Sequence, residues 1–142
     1  MATLVSADWV EETLEKPGFL VIDTRSAMRY LMGHLKSAVS IPQRKLLDPQ
    51  GRLLPVKDLA RLFGEAGIGD RETPVLYDGY DGRNGAMVAW TLEYLGREDV
   101  HVMDVVYDEW KAQRREVFYR PVPHVAHQCT VRLNFAVRAS LA

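Results

Sequence analysis

The sequence predicts an α/β domain with a mainly parallel sheet. Short apolar runs of strand character alternate with stretches of helical periodicity along most of the chain, which is the pattern of strands joined through crossover helices. The run Phe19-Leu20-Val21-Ile22 is apolar without interruption, as a strand covered on both faces must be. At 142 residues the chain is long enough to close one hydrophobic core.

Taken in order, Ser6 is an N-cap, with Asp8 in the first turn and an apolar stripe at Trp9, Val10 and Leu14. Pro17-Gly18 ends that helix and the strand from Phe19 to Ile22 follows. It runs into Asp23-Thr24-Arg25, and Ala27 to Leu31 reads as one short helical turn. A loop from Gly33 to Ala38 leads to the short strand Val39-Ser40-Ile41, closed by Pro42, and residues 43–56 read as a loop rich in turn formers. Val56 to Ala66 is helical, with Leu59, Leu62 and Phe63 on one face and Gly67 and Gly69 as the stop. Val75-Leu76-Tyr77 is the next strand, followed by a glycine-rich loop, a helix from Gly85 to Leu95 capped at Gly96, a strand from Val100 to Met103 and a helix from Asp108 to Arg114. Trp9, Trp90 and Trp110 sit at helical spacing and read as packing residues. From Val117 the pattern changes to prolines and a weak apolar alternation (Val131, Leu133, Phe135, Val137), dividing the chain into a domain at 1–116 and a tail or interdomain linker at 117–142.

Composition excludes several function classes. The formal net charge is −1, so no basic surplus points to nucleic acid. No apolar stretch is long enough to span a membrane, and the N-terminal residues have neither the basic nor the apolar region of a signal peptide. The single cysteine, Cys129, cannot form an internal disulfide, which fits a reducing cytoplasm. Cys129 stands near His124 and His127, but this spacing matches no common metal-ligand pattern, and neither a metal nor a cofactor is expected.

A series of local motifs resembles the rhodanese family: Val21-Ile22-Asp23-Thr24-Arg25, Tyr30, Gly33-His34-Leu35-Lys36-Ser37-Ala38, Ile41-Pro42, Leu53-Leu54-Pro55, the strand and loop from Val75 to Gly85, Tyr94-Leu95-Gly96 and the helix of Trp110. Their order and spacing carry the resemblance from about Leu4 to Gln113. It implies a five-stranded, mainly parallel sheet flanked by helices on both faces. In that family the loop after this strand holds a nucleophilic cysteine, and six residues curl so that backbone N–H groups and the following helix stabilise a thiolate and its persulfide. Here the position is Asp78.

More narrowly, Val75-Leu76-Tyr77-Asp78-Gly79 resembles the first domain of tandem thiosulfate and 3-mercaptopyruvate sulfurtransferases, which lacks the cysteine and shapes the interdomain cleft. That resemblance implies a catalytic second rhodanese domain, in the same or another chain, as partner and a small anionic sulfur donor such as thiosulfate as substrate. Three positions depart from the pattern. Val105-Val106 replaces Gly-Gly, Ser37 replaces a glycine, and Arg52-Leu53-Leu54-Pro55 lacks the histidine of the mercaptopyruvate type.

No catalytic residue is therefore expected in this chain. A carboxylate cannot become a persulfide; Asp78 is expected to cap the following helix, its oxygens accepting the loop N–H groups, with Gly79 and Gly82 free to take positive φ. Arg52, Gly79, Tyr80, Asp81, Gly82 and Arg83 are the candidates for anion or substrate binding, and Arg83 either does this or pairs with Asp81. Asp23, Arg25 and His34 are structural, the first two as an ion pair beneath the loop. The reading is a non-catalytic rhodanese-like domain forming one cleft wall of a thiosulfate sulfurtransferase. Its rival is a free-standing, non-catalytic rhodanese-fold binding or regulatory module, in which the tail should dock rather than stay loose. A phosphatase of the same fold class would need a loop cysteine and is set aside.

Overall fold

The computed structural model describes residues 2–136. Five strands, β1 (Thr3–Val5), β2 (Phe19–Asp23), β3 (Val39–Ser40), β4 (Thr73–Tyr77) and β5 (His101–Met103), form one sheet in the order β1-β5-β4-β2-β3, and every pairing is parallel. Among the described residues, α-helices at α1 (Ala7–Thr13), α2 (Ala27–Leu31), α3 (Val56–Ala66), α4 (Arg83–Tyr94) and α5 (Tyr107–Ala112) connect and flank them. This is the five-stranded α/β architecture expected from the sequence.

Successive strand residues face opposite sides, and each side buries its own core. Ile22 and Leu76 pack with Leu59, Phe63, Val88 and Leu92 from α3 and α4. Val21, Val75 and Tyr77 pack with Val10, Tyr30 and Trp110 from α1, α2 and α5. Trp110 is fully buried and its indole N–H donates to Glu116 O at 3.0 Å.

The element boundaries differ from expectation in informative places. β1 has three residues, too few for a periodic signal, and its register comes from pairing Leu4 with Val102. β4 begins at Thr73 and contains Pro74, although it is a central strand, because the proline sits near the strand start. The stretch read as loop at 43–56 contains a 3-10 turn at Gln43–Leu46 and a bridge between Leu47 and Leu53. α4 starts two residues before Gly85, at Arg83, after Gly82 at φ 77°.

Residues 121–134 form no regular element, yet they lie along the domain through specific bonds. Phe118 pairs with His34 through both backbone groups, and Val122 N donates to the Tyr30 hydroxyl at 2.9 Å. His127 N donates to Gly64 O, Arg132 N to Leu95 O and Asn134 N to Tyr94 O, while Thr130 holds the Asp70 carboxylate at 2.9 and 2.6 Å. Val137, the last member of the apolar alternation, lies outside the described residues.

Candidate functional site

The parallel strands β2 and β4 are adjacent and deliver Asp23 and Tyr77 side by side at their C-terminal ends. Asp23 is fully buried, so its charge requires a partner. Arg25 supplies it through a bidentate contact at 2.6 and 3.0 Å, and the Tyr77 hydroxyl donates to the same carboxylate at 2.7 Å. The Arg25 guanidinium also donates to Gly33 O at 2.6 Å and lies 3.8 Å from the Tyr107 ring centroid. Burial pulls the Arg25 pKa down, but the hydrogen bond and charge of Asp23 outweigh it and leave it raised. Burial, reinforced by Asp23, drives the Tyr77 hydroxyl well above its ordinary value. Both groups are spent on supporting the floor of the loop.

On this floor sits the loop from Asp78 to Gly82. Asp78 is 5% exposed; Oδ1 accepts the Gly79 N–H at 2.7 Å and Oδ2 the Gly85 N–H at 2.8 Å. Gly85 is the third residue of α4, and the N-cap residue Gly82 has no side chain, so Asp78 caps the helix from four residues upstream. Asp81 takes a further amide, that of Arg83, at 3.0 Å. The carboxylate of Asp78 thus accepts two loop and helix amides rather than the whole set expected. The N–H groups of Tyr80, Asp81, Gly82 and Asn84 have no acceptor among the described residues.

The two loop glycines are required for different reasons. Gly82 takes positive φ as expected. Gly79 does not. A Cβ there would stand 3.2 and 3.3 Å from the Arg25 stem, so close approach to the buried arginine is what restricts this position.

Two hollows flank the loop. The smaller, about 320 Å³, is lined by Arg25, Ser26, Arg29, Arg83 and Asn84 beside the loop itself. The larger, about 590 Å³, lies between α4, β1 and β5 and is mostly apolar. Asp78, Tyr80 and Asp81 line both, so the loop is the ridge between them.

Of the residues singled out from sequence, Gly79, Tyr80, Asp81, Gly82 and Arg83 come together here. Tyr80 is 87% exposed. Arg83 is 89% exposed and lies 3.3 Å from Asp81, so the surface pairing is the alternative that the geometry shows. Arg52 lines neither hollow; it is 75% exposed and pairs with Asp48 at 3.2 Å. His34 is fully buried away from the loop, with Nδ1 2.8 Å from Leu35 O and Nε2 2.8 Å from Arg120 O, stacked on Tyr30. Cys129 lines neither hollow. It is half-buried beside the α3–α4 core, and burial raises its thiol pKa, partly opposed by Arg97. His127 holds Glu72 at 2.8 Å, and among the described residues no His, Cys, Asp and Glu side chains gather as metal ligands. Ser26, Arg29 and Asn84 were not anticipated. Their signal was the spacing of Arg29 four residues after Arg25, on the helix that Ser26 caps.

The five-stranded parallel sheet and the strand–loop–helix at Asp78 define a rhodanese-like α/β fold. The chain matches the rhodanese-like domain family over residues 6–113 and belongs to it. It is 34% identical over 114 residues to a proposed thiosulfate sulfurtransferase of Synechococcus elongatus, covering 75% of this chain and 35% of that protein. It is 33% identical over 115 residues to the sulfur carrier protein TtuD of Thermus thermophilus, covering 79% and 40% respectively. The crystal structure of SseA from Escherichia coli, described with the mechanism of 3-mercaptopyruvate sulfotransferases, superposes with a TM-score of 0.85 at 22% identity, over 94% of this chain and 56% of that one. The chain therefore spans well under half the length of these two sequence relatives.

Proposed function

We propose that this chain is a non-catalytic rhodanese-like domain that forms one wall of the active-site cleft of a thiosulfate sulfurtransferase. The observation that carries the reading is the position of Asp78. Its buried carboxylate fills the loop head and holds the Gly79 and Gly85 amides, so no persulfide can form there. The partner would be a second rhodanese-like domain carrying the loop cysteine. There a sulfane sulfur would pass from thiosulfate to the thiolate, releasing sulfite, and then to a thiophilic acceptor such as cyanide. Arg29 would face the anionic donor from this side of the cleft.

The test is a thiosulfate-to-cyanide transfer assay on the purified chain and on Cys129→Ser. The expected result is no thiocyanate above background from either. Turnover that disappears in Cys129→Ser would move the functional centre to the tail and overturn the reading. In parallel, Asp78→Cys should give a thiol that ionises below the ordinary cysteine range, because loop amides and the α4 N-terminus would now face a thiolate. A thiol titrating like free cysteine would mean that the loop is no cradle.

A second reading, a free-standing binding or regulatory module, is favoured by the docked tail. Immunoblotting of source cells separates the two. A band near the 16.1 kDa of this chain that does not co-purify with a second rhodanese-like domain would support the module, and a band of twice that size or more the two-domain enzyme.

A further inference from the structure

We propose that the larger hollow binds a small organic cation with apolar substituents, of the alkylated-ammonium class. Its volume of about 590 Å³ lies within the range of small-molecule sites. Its walls carry one kind of charge. Asp78, Asp81, Glu93 and Asp104 contribute carboxylates, and among the described residues no Lys, Arg or His lines it. Asp78 is engaged by its amides, Asp81 by Arg83 and Glu93 by a contact of its own, whereas the exposed Asp104 side chain has no partner among the described residues. Two aromatic side chains, Tyr80 and Trp90, line the same space, and Leu4, Ala89, Val102 and Val105 supply apolar wall. Leu4 remains 71% exposed at the β1 edge, which α4 does not cover.

Three ligand classes can be weighed against this lining. An anion meets the carboxylates of Asp78, Asp81, Glu93 and Asp104, with only neutral loop amides to offset them. A compact, strongly hydrated cation would have to shed water against apolar wall with too few oxygens to replace it. A neutral apolar molecule fits the walls but makes no use of the carboxylates. An alkylated cation satisfies all three features: its substituents cover apolar surface, its diffuse charge suits aromatic faces, and carboxylates at the rim add long-range attraction. The chemistry is opposite to that of the arginine-lined hollow across the ridge, so the two hollows would sort ligands by charge.

The test uses choline and its uncharged isostere 3,3-dimethyl-1-butanol, titrated at low salt while the Trp90 indole resonance, assigned with Trp90→Phe, is followed by NMR. Choline should shift that resonance saturably and bind about fivefold more tightly than the isostere. Asp104→Asn should weaken choline several-fold and leave the isostere unchanged. Equal binding of both molecules, shifts confined to Trp9 and Trp110, or no saturable shift up to tens of millimolar choline would overturn the proposal. The choline–isostere comparison uses the unmodified chain, so it stands even if a variant misfolds. Sulfur transfer is no part of the readout, and failure here leaves the reading of the Asp78 loop intact.

Discussion

Helix α4 has both of its ends capped, the first by the loop just before it and the second by the distant tail, and the two ends solve the problem with different chemistry. At the N-terminus the spare amides of Gly85 and Arg83 go to side chains, the carboxylates of Asp78 and Asp81. At the C-terminus a glycine turn returns the Gly96 and Arg97 amides to Glu93 O and Leu92 O, and the tail then adds backbone donors, Arg132 N to Leu95 O and Asn134 N to Tyr94 O. A side-chain cap depends on residue identity and favours negative charge where the helix dipole is positive. A backbone cap depends on approach, and here on the absence of a Cβ. One built on Gly96 would stand 2.3 Å from Arg132 O.

The largest effect is expected at the first end. Asp78→Ala leaves two buried amides without an acceptor and removes the charge at the helix start, so it should destabilise the chain by about 2–4 kcal/mol in urea unfolding. Asp78→Asn keeps one acceptor oxygen and should cost about half as much. If alanine proves harmless, Asp78 is not the cap and the two ends do not differ as described. Gly96→Ala should cost about 2–3 kcal/mol, from φ 106° together with the clash against Arg132 O. Its distinguishing sign is faster amide exchange at Arg132 and Asn134 with the Gly85 amide unchanged. Loss of protection at both ends together would mean that α4 melts as one unit.

The same contrast explains what could be read from sequence. The strands from Phe19 and Val75, the α3 stripe and the Asp78 cap rest on residue type and periodicity, and these are visible in a sequence. The unexpected features rest on backbone. β1 is three residues whose partner lies about 98 positions away at His101–Met103, and no local pattern encodes that pairing. The tail's seat is encoded by glycines that signal only a missing side chain. Gly64 and Gly96 would each place a Cβ within 2.4 Å of a tail carbonyl, yet in sequence one looks like an ordinary helix residue and the other like a helix stop. The site was partly legible for the same reason: Asp78 to Arg83 are consecutive, whereas Arg29 and Trp90 reach the hollows through the packing of separate elements.

Two smaller tests probe the tail. The Asp70 carboxyl is held below the ordinary carboxylate range, first by the Thr130 hydroxyl and then by the Thr130 amide. A depressed carboxylate contributes stability above its unfolded pKa and loses it as pH falls through the folded value. The Thr130 amide resonance should therefore stay constant at neutral pH and move only once the solution is more acidic than an ordinary carboxylate requires, and Asp70→Asn should abolish the transition. Burial raises the Cys129 thiol, so at mildly alkaline pH iodoacetamide should alkylate it more slowly than a free cysteine. Reaction at the free-thiol rate would show that this stretch of tail lifts off.

Ser37 gives the smallest effect and the cleanest separation of the two demands that Gly96 combines. It is the third residue of the turn closed by Ala38 N on Leu35 O, and it sits at φ 64°, a position that favours glycine. The left-handed conformation costs a non-glycine residue about 1–2 kcal/mol, while a glycine loses about 0.5–1 kcal/mol more backbone entropy on folding. Ser37→Gly should therefore stabilise the chain by about 0.5 kcal/mol, seen as a higher urea midpoint at constant slope. If it stabilises by that amount while Gly96→Ala costs several times more, the difference is steric, and the backbone cap on α4 owes its strength to close approach. If Gly96→Ala costs no more than Ser37→Gly returns, conformation alone accounts for Gly96, and the tail gives way to a Cβ at little cost.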